Sequence, residues 1–342
     1  MTQQLHAELV AGPDLTHDLA ATLKAASDPL RLEVLRLLAR DSFGVMELSR
    51  IFAIKQSGMS HHLKVLATAG LVATRREGNS IYYRRALPEQ RDPRRELLTS
   101  LFATLDLQPL SAEIQQRQGQ VQVERARASQ AFFTDNAGKF RAQQDLIASY
   151  PIYADVVTEL LTKTPLTATG RALEVGPGEG EFLAVLAPRF QRVSALDNSA
   201  SMLDKAATAA RNAGLANIDF IHGDTRAALQ RQLRADCVVA NMVLHHVASP
   251  ASVFDDIGKL LNPGGVLFIT DLCHHDQQWA REACGDLWLG FEPDDLSGWA
   301  HQAGLEEGLS QYIALRNGFQ IQVRQFFSPL RGTEHQEHNH YV

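Results

Sequence analysis

The sequence predicts an α/β protein of two unlike domains. A small, mostly helical domain with a β-hairpin comes first, then a larger one built on a parallel sheet with helices on both faces. Three observations predict this. At 342 residues the chain is too long for one ordinary core. Its apolar residues keep helical spacing over most of the first hundred positions, then alternate between strand-like and helical runs beyond about residue 166. Its charge is also divided: residues 15–100 hold 14 Lys and Arg against 9 Asp and Glu, which leaves 19 against 30 elsewhere in a chain of net charge -6. A basic segment on an acidic body is the pattern of a nucleic-acid reader joined to a small-molecule domain.

Composition narrows the class further. With 45% hydrophobic and 21% charged residues the chain has a globular balance, not a disordered one. No uninterrupted apolar run reaches the roughly 18 residues of a membrane span, and the start lacks the basic and apolar regions of a secretory signal. The three cysteines, Cys237, Cys273 and Cys284, form no C-x-x-C pair. A reducing cytoplasm is the expected location.

In the first domain, Leu23, Leu30, Val34, Leu37 and Leu38 sit at helical spacing with a break at Asp28-Pro29. Ser27 or Asp28 can cap the second helix, with Pro29 in its first turn where a missing N–H costs nothing. A helix over Val45 to Phe52 and a turn at Ala53-Ile54-Lys55 lead to a helix over Gln56 to Ala69. Met59, Leu63 and Leu66 form the buried stripe of that last helix. Gln56, Ser57, Ser60, His61 and Lys64 form its outer face, and Gly70 ends it. Two short helices joined by a tight turn form a helix-turn-helix, and the polar face of the second is the candidate DNA-reading surface. Leu71 to Thr74 and Ser80 to Arg84 read as strands around Glu77-Gly78-Asn79. On this wing Arg76 and Arg84 are candidates for phosphate or minor-groove contacts.

The order of these pieces resembles the ArsR/SmtB family of winged-helix repressors. Ser27 to Arg31, Ser57 to Leu66, Ala69 to Val72, Arg75 to Gly78 and Ile81 to Tyr83 carry the resemblance, over roughly the first 90 residues. It implies a homodimer whose recognition helices lie in successive major grooves of a near-palindromic double-stranded operator. Where many metal-sensing members carry a Cys-x-Cys-type cluster, this chain reads Val45 to Arg50 with no thiolate. His61 and His62, adjacent on a helix, point apart. No metal ligand set is expected.

The organisation expected is a DNA-binding and dimerisation domain over 15–107, a helical connector or lid over 108–165, the sheet domain over 166–330 and a flexible tail over 331–342. Leu97, Leu98, Leu101, Phe102 and Leu105 would face one side of a dimerisation helix over Arg94 to Leu107. Gln115 to Gln130 reads as an exposed helix or linker, after which Tyr150 and Tyr153 fall in a stretch of core-like composition.

In the sheet domain, strands are expected at Arg171–Val175, Val193–Leu196, Ile218–Ile221, Cys237–Asn241, Val266–Thr270, Leu309–Ala314 and Phe319–Phe326. Helices fall between them at Glu181–Ala187, Met202–Asn212 and Val253–Leu261. The first strand ends in Glu174-Val175-Gly176-Pro177-Gly178-Glu179-Gly180, where Gly176, Gly178 and Gly180 let backbone approach a ligand. The second ends in Asp197-Asn198, placed to accept from two ribose hydroxyls. Asp224-Thr225 follows the third strand, Asp224 suited to an adenine amine, and Asn241 ends the fourth. Leu261-Asn262-Pro263-Gly264-Gly265 reads as a helix stop and turn.

This series resembles class I methyltransferases dependent on S-adenosylmethionine (SAM), over roughly 150 residues. The resemblance implies a Rossmann-like sheet and a cofactor set of Glu174, Gly176, Gly178, Gly180, Asp197, Asn198, Asp224, Thr225 and Asn241, for SAM or S-adenosylhomocysteine. A dinucleotide-binding domain shares the glycines, but Glu179 and Glu181 would repel a pyrophosphate. His245 and His246 stand where the resemblance puts the transfer site. They are candidate bases for an acceptor hydroxyl, amine or thiol, although methyl transfer to a good nucleophile needs mainly proximity. Two functions follow: a DNA-binding regulator that also methylates a small acceptor, or a silent SAM or S-adenosylhomocysteine sensor controlling operator binding.

Overall fold

The computed structural model describes residues 15–330 apart from 78, 79, 89, 90, 137 and 139. The hairpin tip Gly78-Asn79 and the tail with His335, His338 and His340 lie outside the described residues. Two compact units divide the chain, residues 1–121 and 122–342. Among the described residues no helix is long and apolar enough to cross a membrane.

In the first unit, α1 (Leu15–Ala26) and α2 (Pro29–Leu37) meet at the expected break. Asp28 accepts a hydrogen bond from the Arg31 amide at 3.0 Å, so it is the cap, while the Ser27 hydroxyl turns back to the Lys24 carbonyl. Then come β1 (Phe43–Gly44) and α3 (Val45–Phe52). Ala53 takes a left-handed φ of 53° and turns the chain into α4 (Gln56–Thr68). Met59, Leu63 and Leu66 of α4 are 0% exposed, against Leu48 and Ile51 of α3 in the same core. Gly70, at φ +70°, ends the turn.

The hairpin of β2 (Val72–Glu77) and β3 (Ser80–Arg85) is longer than alternation predicts. Glu77 is buried and paired with Arg75 at 2.6 Å, which holds the strand to its last residue. β1 adds a third strand, with Phe43 opposite Tyr83. On α5 (Arg95–Asp106) the apolar residues divide: Leu98, Phe102 and Leu105 enter the core, while Leu97 is 37% exposed. The Arg85 guanidinium lies 4.7 Å from the Phe102 ring centre and pairs with Asp106 at 2.7 Å. The long helix α6 (Ala112–Asn136) contains the unit boundary, and its Ile114 and Val121 belong to the first core.

The second unit opens with α7 (Phe140–Ile147) and α8 (Tyr150–Lys163). Strand and helix then alternate: β4 (Arg171–Val175), α9 (Leu183–Leu186), β5 (Arg192–Asp197), α10 (Ala200–Asn212), β6 (Ile218–His222), α11 (Thr225–Gln230) and β7 (Ala235–Asn241). A single 3-10 turn, Leu244–His246, precedes α12 (Pro250–Leu260) and β8 (Leu261–Leu272). The chain ends in α13 (Trp279–Cys284), α14 (Pro293–Gln302), β9 (Glu306–Ala314) and β10 (Gln320–Phe327). β8 starts earlier than expected: Leu261 already pairs with Ala235, and the Asn262-Pro263-Gly264-Gly265 irregularity falls inside the strand.

The sheet runs β6-β5-β4-β7-β8-β10-β9. Its first five strands are parallel, and β10 is antiparallel to both its neighbours. Strands covered by helices on both faces are mostly apolar, and Cys237 to Ala240 of β7 are 0% exposed. From β4 the chain moves first to β5 on one side and later to β7 on the other. In open α/β sheets, ligands enter at the carboxyl ends of the strands flanking such a reversal.

Candidate functional site

A cleft open to solvent, about 580 Å³ counted out to its mouth, lies at that reversal. Its floor is the turn after β4. Gly176 has φ +65°, and a Cβ there would meet Val243 Cγ2 at 2.4 Å, so any side chain would be both strained and obstructed. Gly178 lines the cleft beside it. Across the floor, β7 ends in Asn241 and then Met242, a buried non-glycine at φ 53° whose amide donates to the Thr270 carbonyl at 2.7 Å. Tyr150 and Tyr153, rings 5.8 Å apart and nearly perpendicular, close another side.

Two side chains in this lining have polar atoms that are buried and without a hydrogen-bond partner: Asn241 at both Oδ1 and Nδ2, and Glu174 at Oε2. A buried polar group left unpaired costs roughly 1–3 kcal/mol. Burial, helped by the nearby Asp197 carboxylate, pushes the Glu174 carboxyl up to about 8. Burial likewise lifts Asp197 to about 6, against the Ser199 amide that donates to it at 2.8 Å. Both tyrosine phenols are raised by burial and then by Glu174 and Glu181.

Of the residues expected to hold a cofactor, Glu174, Gly176, Gly178 and Asn241 line the cleft. Gly180 serves packing instead, because a Cβ there would stand 3.0 Å from the Ala206 Cα on α10. Asp197 is half-buried and Asn198 exposed at the end of β5, the strand beside β4 and away from β7. Asp224 is exposed and caps α11 by accepting from the Ala227 amide at 3.0 Å. Thr225 is a correction: its buried hydroxyl donates to Asp256 at 2.6 Å and faces the protein interior. The repulsion expected from Glu179 and Glu181 is weaker than their charge implies. Arg141 pairs with Glu181 at 2.7 Å, and Lys205 with Glu179 at 2.9 Å. Arg141, Asp145 and Met242 line the cleft too and carry no motif that would have marked them.

His245 and His246 are not part of this lining. They are 1% and 8% exposed, with ring centres 4.0 Å apart. His245 Nδ1 donates to Asp271 Oδ1 at 2.7 Å. Burial draws its pKa down, but the Asp271 and Asp286 carboxylates outweigh that and raise it above the ordinary histidine value. Burial and the neighbouring His245 charge depress His246. The base role expected of the pair has no support in this arrangement.

In the first unit, Gln56, Ser57, Ser60, His61 and Lys64 form one exposed face of α4, opposite its buried stripe. On the wing, Arg76 is exposed and Arg84 half-buried. Arg76 stands opposite Ile81 and Arg84 opposite Ala73, and that register puts the two arginines on opposite faces of the hairpin.

Comparison with known proteins separates the two units in the same way. Residues 28–74 match the family described as bacterial regulatory protein, arsR family, and residues 144–310 the family described as methyltransferase domain. The tRNA 5-carboxymethoxyuridine methyltransferase of Escherichia coli K12 is 37% identical over 99 residues, covering 28% of this chain and 38% of that protein. The ubiquinone biosynthesis O-methyltransferase of Klebsiella pneumoniae is 27% identical over 169 residues, covering 44% and 69%. Among solved structures, a putative sarcosine dimethylglycine methyltransferase from Galdieria sulphuraria aligns with TM-score 0.46 at 16% identity, covering 53% of this chain and 86% of its own. The chain spans less than half the length of the first curated relatives it matches. It joins an arsR-family regulatory domain to a methyltransferase domain.

Proposed function

We propose that the second unit binds SAM in the β4–β7 cleft and transfers its methyl group to a small acceptor, within a DNA-binding transcriptional regulator. One observation carries the cofactor reading. Buried, unpartnered polar atoms of Asn241 and Glu174 line the same cleft as a turn that admits no side chain at Gly176. A ligand with hydrogen-bond donors and acceptors and a cationic centre satisfies those atoms, and SAM has all three. Bound there, SAM supplies an electrophilic methyl group on a sulfonium.

The roles of the chain's own residues follow. Glu174, protonated when the cleft is empty of cations, gains a favourable partner by ionising beside a positive group. Asp197 and Asn198 offer acceptors for ribose hydroxyls, and Asp224 an acceptor for an adenine amine. Tyr150 and Tyr153 exclude water from one side. No base is assigned, because an acceptor held in line needs only proximity.

In the same proposal, a homodimer places α4 in the major groove of an operator, with Gln56, Ser57, Ser60, His61 and Lys64 toward DNA and the wing arginines on the backbone. The location that goes with this is the cytoplasm. Calorimetric titration of the full chain with SAM and with S-adenosylhomocysteine tests the cofactor reading. Saturable binding, weakened at least about tenfold in Asn241→Ala by the loss of hydrogen bonds to a buried ligand, is expected. Absence of binding by the wild-type chain overturns it.

A further inference from the structure

Below the sheet ends, two buried aspartates of the second unit are treated very differently. Asp271 is 0% exposed and fully used: it accepts from the Leu244 amide at 2.9 Å, the Leu272 amide at 2.8 Å and His245 Nδ1 at 2.7 Å. Asp286 is 4% exposed, and neither of its oxygens has a hydrogen-bond partner. Its Oδ1 lies 3.9 Å from His245 Nε2 and 3.7 Å from His246 Nδ1, too far for hydrogen bonds. Three donor atoms, one each from His245, His246 and Asp286, lie within 4.8 Å of one another.

We propose that His245, His246 and Asp286 bind a divalent transition-metal ion of the zinc type. Four points of geometry and chemistry carry this. Ligands about 2.0–2.1 Å from a tetrahedral zinc stand roughly 3.4 Å apart, so the 3.9 and 3.7 Å spacings to Asp286 close by a few tenths of an ångström, and the histidine donors, within 4.8 Å of each other, close by the larger share. Asp271 holds His245 through Nδ1 and leaves Nε2 turned toward Asp286, the carboxylate–histidine arrangement that orients a metal ligand. The donor set of two imidazoles and one carboxylate suits zinc and its first-row neighbours. Finally, adjacent histidines converge here because they occupy a 3-10 turn: their ring centres are 4.0 Å apart, against 6.0 Å for His61 and His62 on a regular helix.

The surroundings assign the ion a structural role. The Phe133 ring packs edge-on against His246 at 4.8 Å, and Phe132 fills the space beside Gly285 where a Cβ would stand at 2.3 Å. The Gly285 carbonyl, 3.3 Å from His246 Nδ1, offers a further oxygen. Closed sites of this kind clamp segments together. This one would tie the turn after β7 to the loop after α13, which the backbone already joins through the Leu287 and Trp288 amides and the His245 carbonyl. The ion replaces whatever protons the three groups hold and needs no redox partner.

The test uses the full chain with His335, His338 and His340 replaced by alanine, so that the terminal histidines cannot contribute ions. Metal analysis after dialysis against Zn²⁺, and the visible absorption of the Co²⁺-substituted protein, are the readouts. We expect one tightly held equivalent per chain and a Co²⁺ spectrum of nitrogen and oxygen ligation. Asp286→Asn and His246→Ala should abolish both, Asp286→Glu should retain them, and Asp271→Asn should lower zinc affinity by about 10–100-fold. Wild-type ligands that hold no stoichiometric ion overturn the site whether or not the variants fold. An equivalent that survives in folded Asp286→Asn overturns it as well. SAM titration of the same preparations reports separately on the cleft.

Discussion

The outward face of α4 and the cleft at the ends of β4 and β7 differ in how far apart in sequence their parts lie. The α4 face spans nine positions, Gln56 to Lys64, and one helix repeat sorts it from the core. The cleft draws on α7, α8, the β4 turn and the end of β7, from Arg141 to Met242. The surroundings differ as much. Charges on the α4 face are open to water and salt, where attraction is weak and screened. Glu174 is buried, and its ionisation is displaced far enough to respond to a ligand. A surface reader therefore spreads its affinity over many small contacts, whereas a buried site concentrates it in a few groups.

The sharpest way to break that comparison is Asp197→Ala. If its carboxylate accepts from two cofactor hydroxyls, at about 1.5–3 kcal/mol each, SAM affinity falls by about 100-fold or more. Unchanged affinity in a calorimeter would remove Asp197 from the site, and operator affinity measured alongside should not move.

A smaller effect is expected from pH. Glu174, raised to about 8 in the ligand-free cleft, must lose its proton to face a cation. Its folded pKa lies above the unfolded one, so without ligand it favours the fold at low pH, and that contribution fades as pH rises through about 8. Cofactor binding then releases a proton, and affinity should rise with pH by up to about tenfold per unit until pH 8. Titration in two buffers of different ionisation enthalpy reads that proton directly, and a flat profile would mean that Glu174 never meets the cation.

On the DNA side each single change should matter less. Lys64→Ala is expected to weaken all sequences alike and reduce the log–log salt slope by about 1. Arg76 and Arg84 sharpen the point, since they lie on opposite faces of the wing. Each alanine substitution should lower the slope, and an unaltered slope for one of them would remove that face of the wing from the interface. The smallest effect belongs to Asp28→Ala, which removes a helix cap worth about 1 kcal/mol. Thermal unfolding followed by calorimetry should show it in one unit's transition alone.

What the sequence made legible follows the same division. Met59, Leu63 and Leu66 were readable because one periodicity governs them, and the Gly176 turn because the backbone itself imposes glycine. β1 was not, since two residues leave no alternation to read. Thr225 was misread because its partner, Asp256, is 31 positions away and consumes the hydroxyl a ligand would need. Leu97 stays exposed where Leu98, Phe102 and Leu105 are buried, because a helix face broad enough for five apolar residues has an edge that only packing can draw. The surroundings of His245 and His246 were invisible for a related reason: Asp271 and Asp286 reach them from 26 and about 40 positions away, and nothing local marks either aspartate.

Met242 has a practical consequence for anyone altering this protein. Its left-handed backbone is a conformation that costs a side-chain-bearing residue about 1–3 kcal/mol, yet its thioether is buried in the hydrophobic core. Glycine would relax the backbone but vacate the space, and a β-branched residue would fill it while worsening the torsion. Mutational tolerance at this position should therefore be narrow, since asparagine, which tolerates the torsion, would bury an unpaired amide. Replacing it with ordinary strand residues should destabilise the protein there, at the residue that follows Asn241 in the cleft lining.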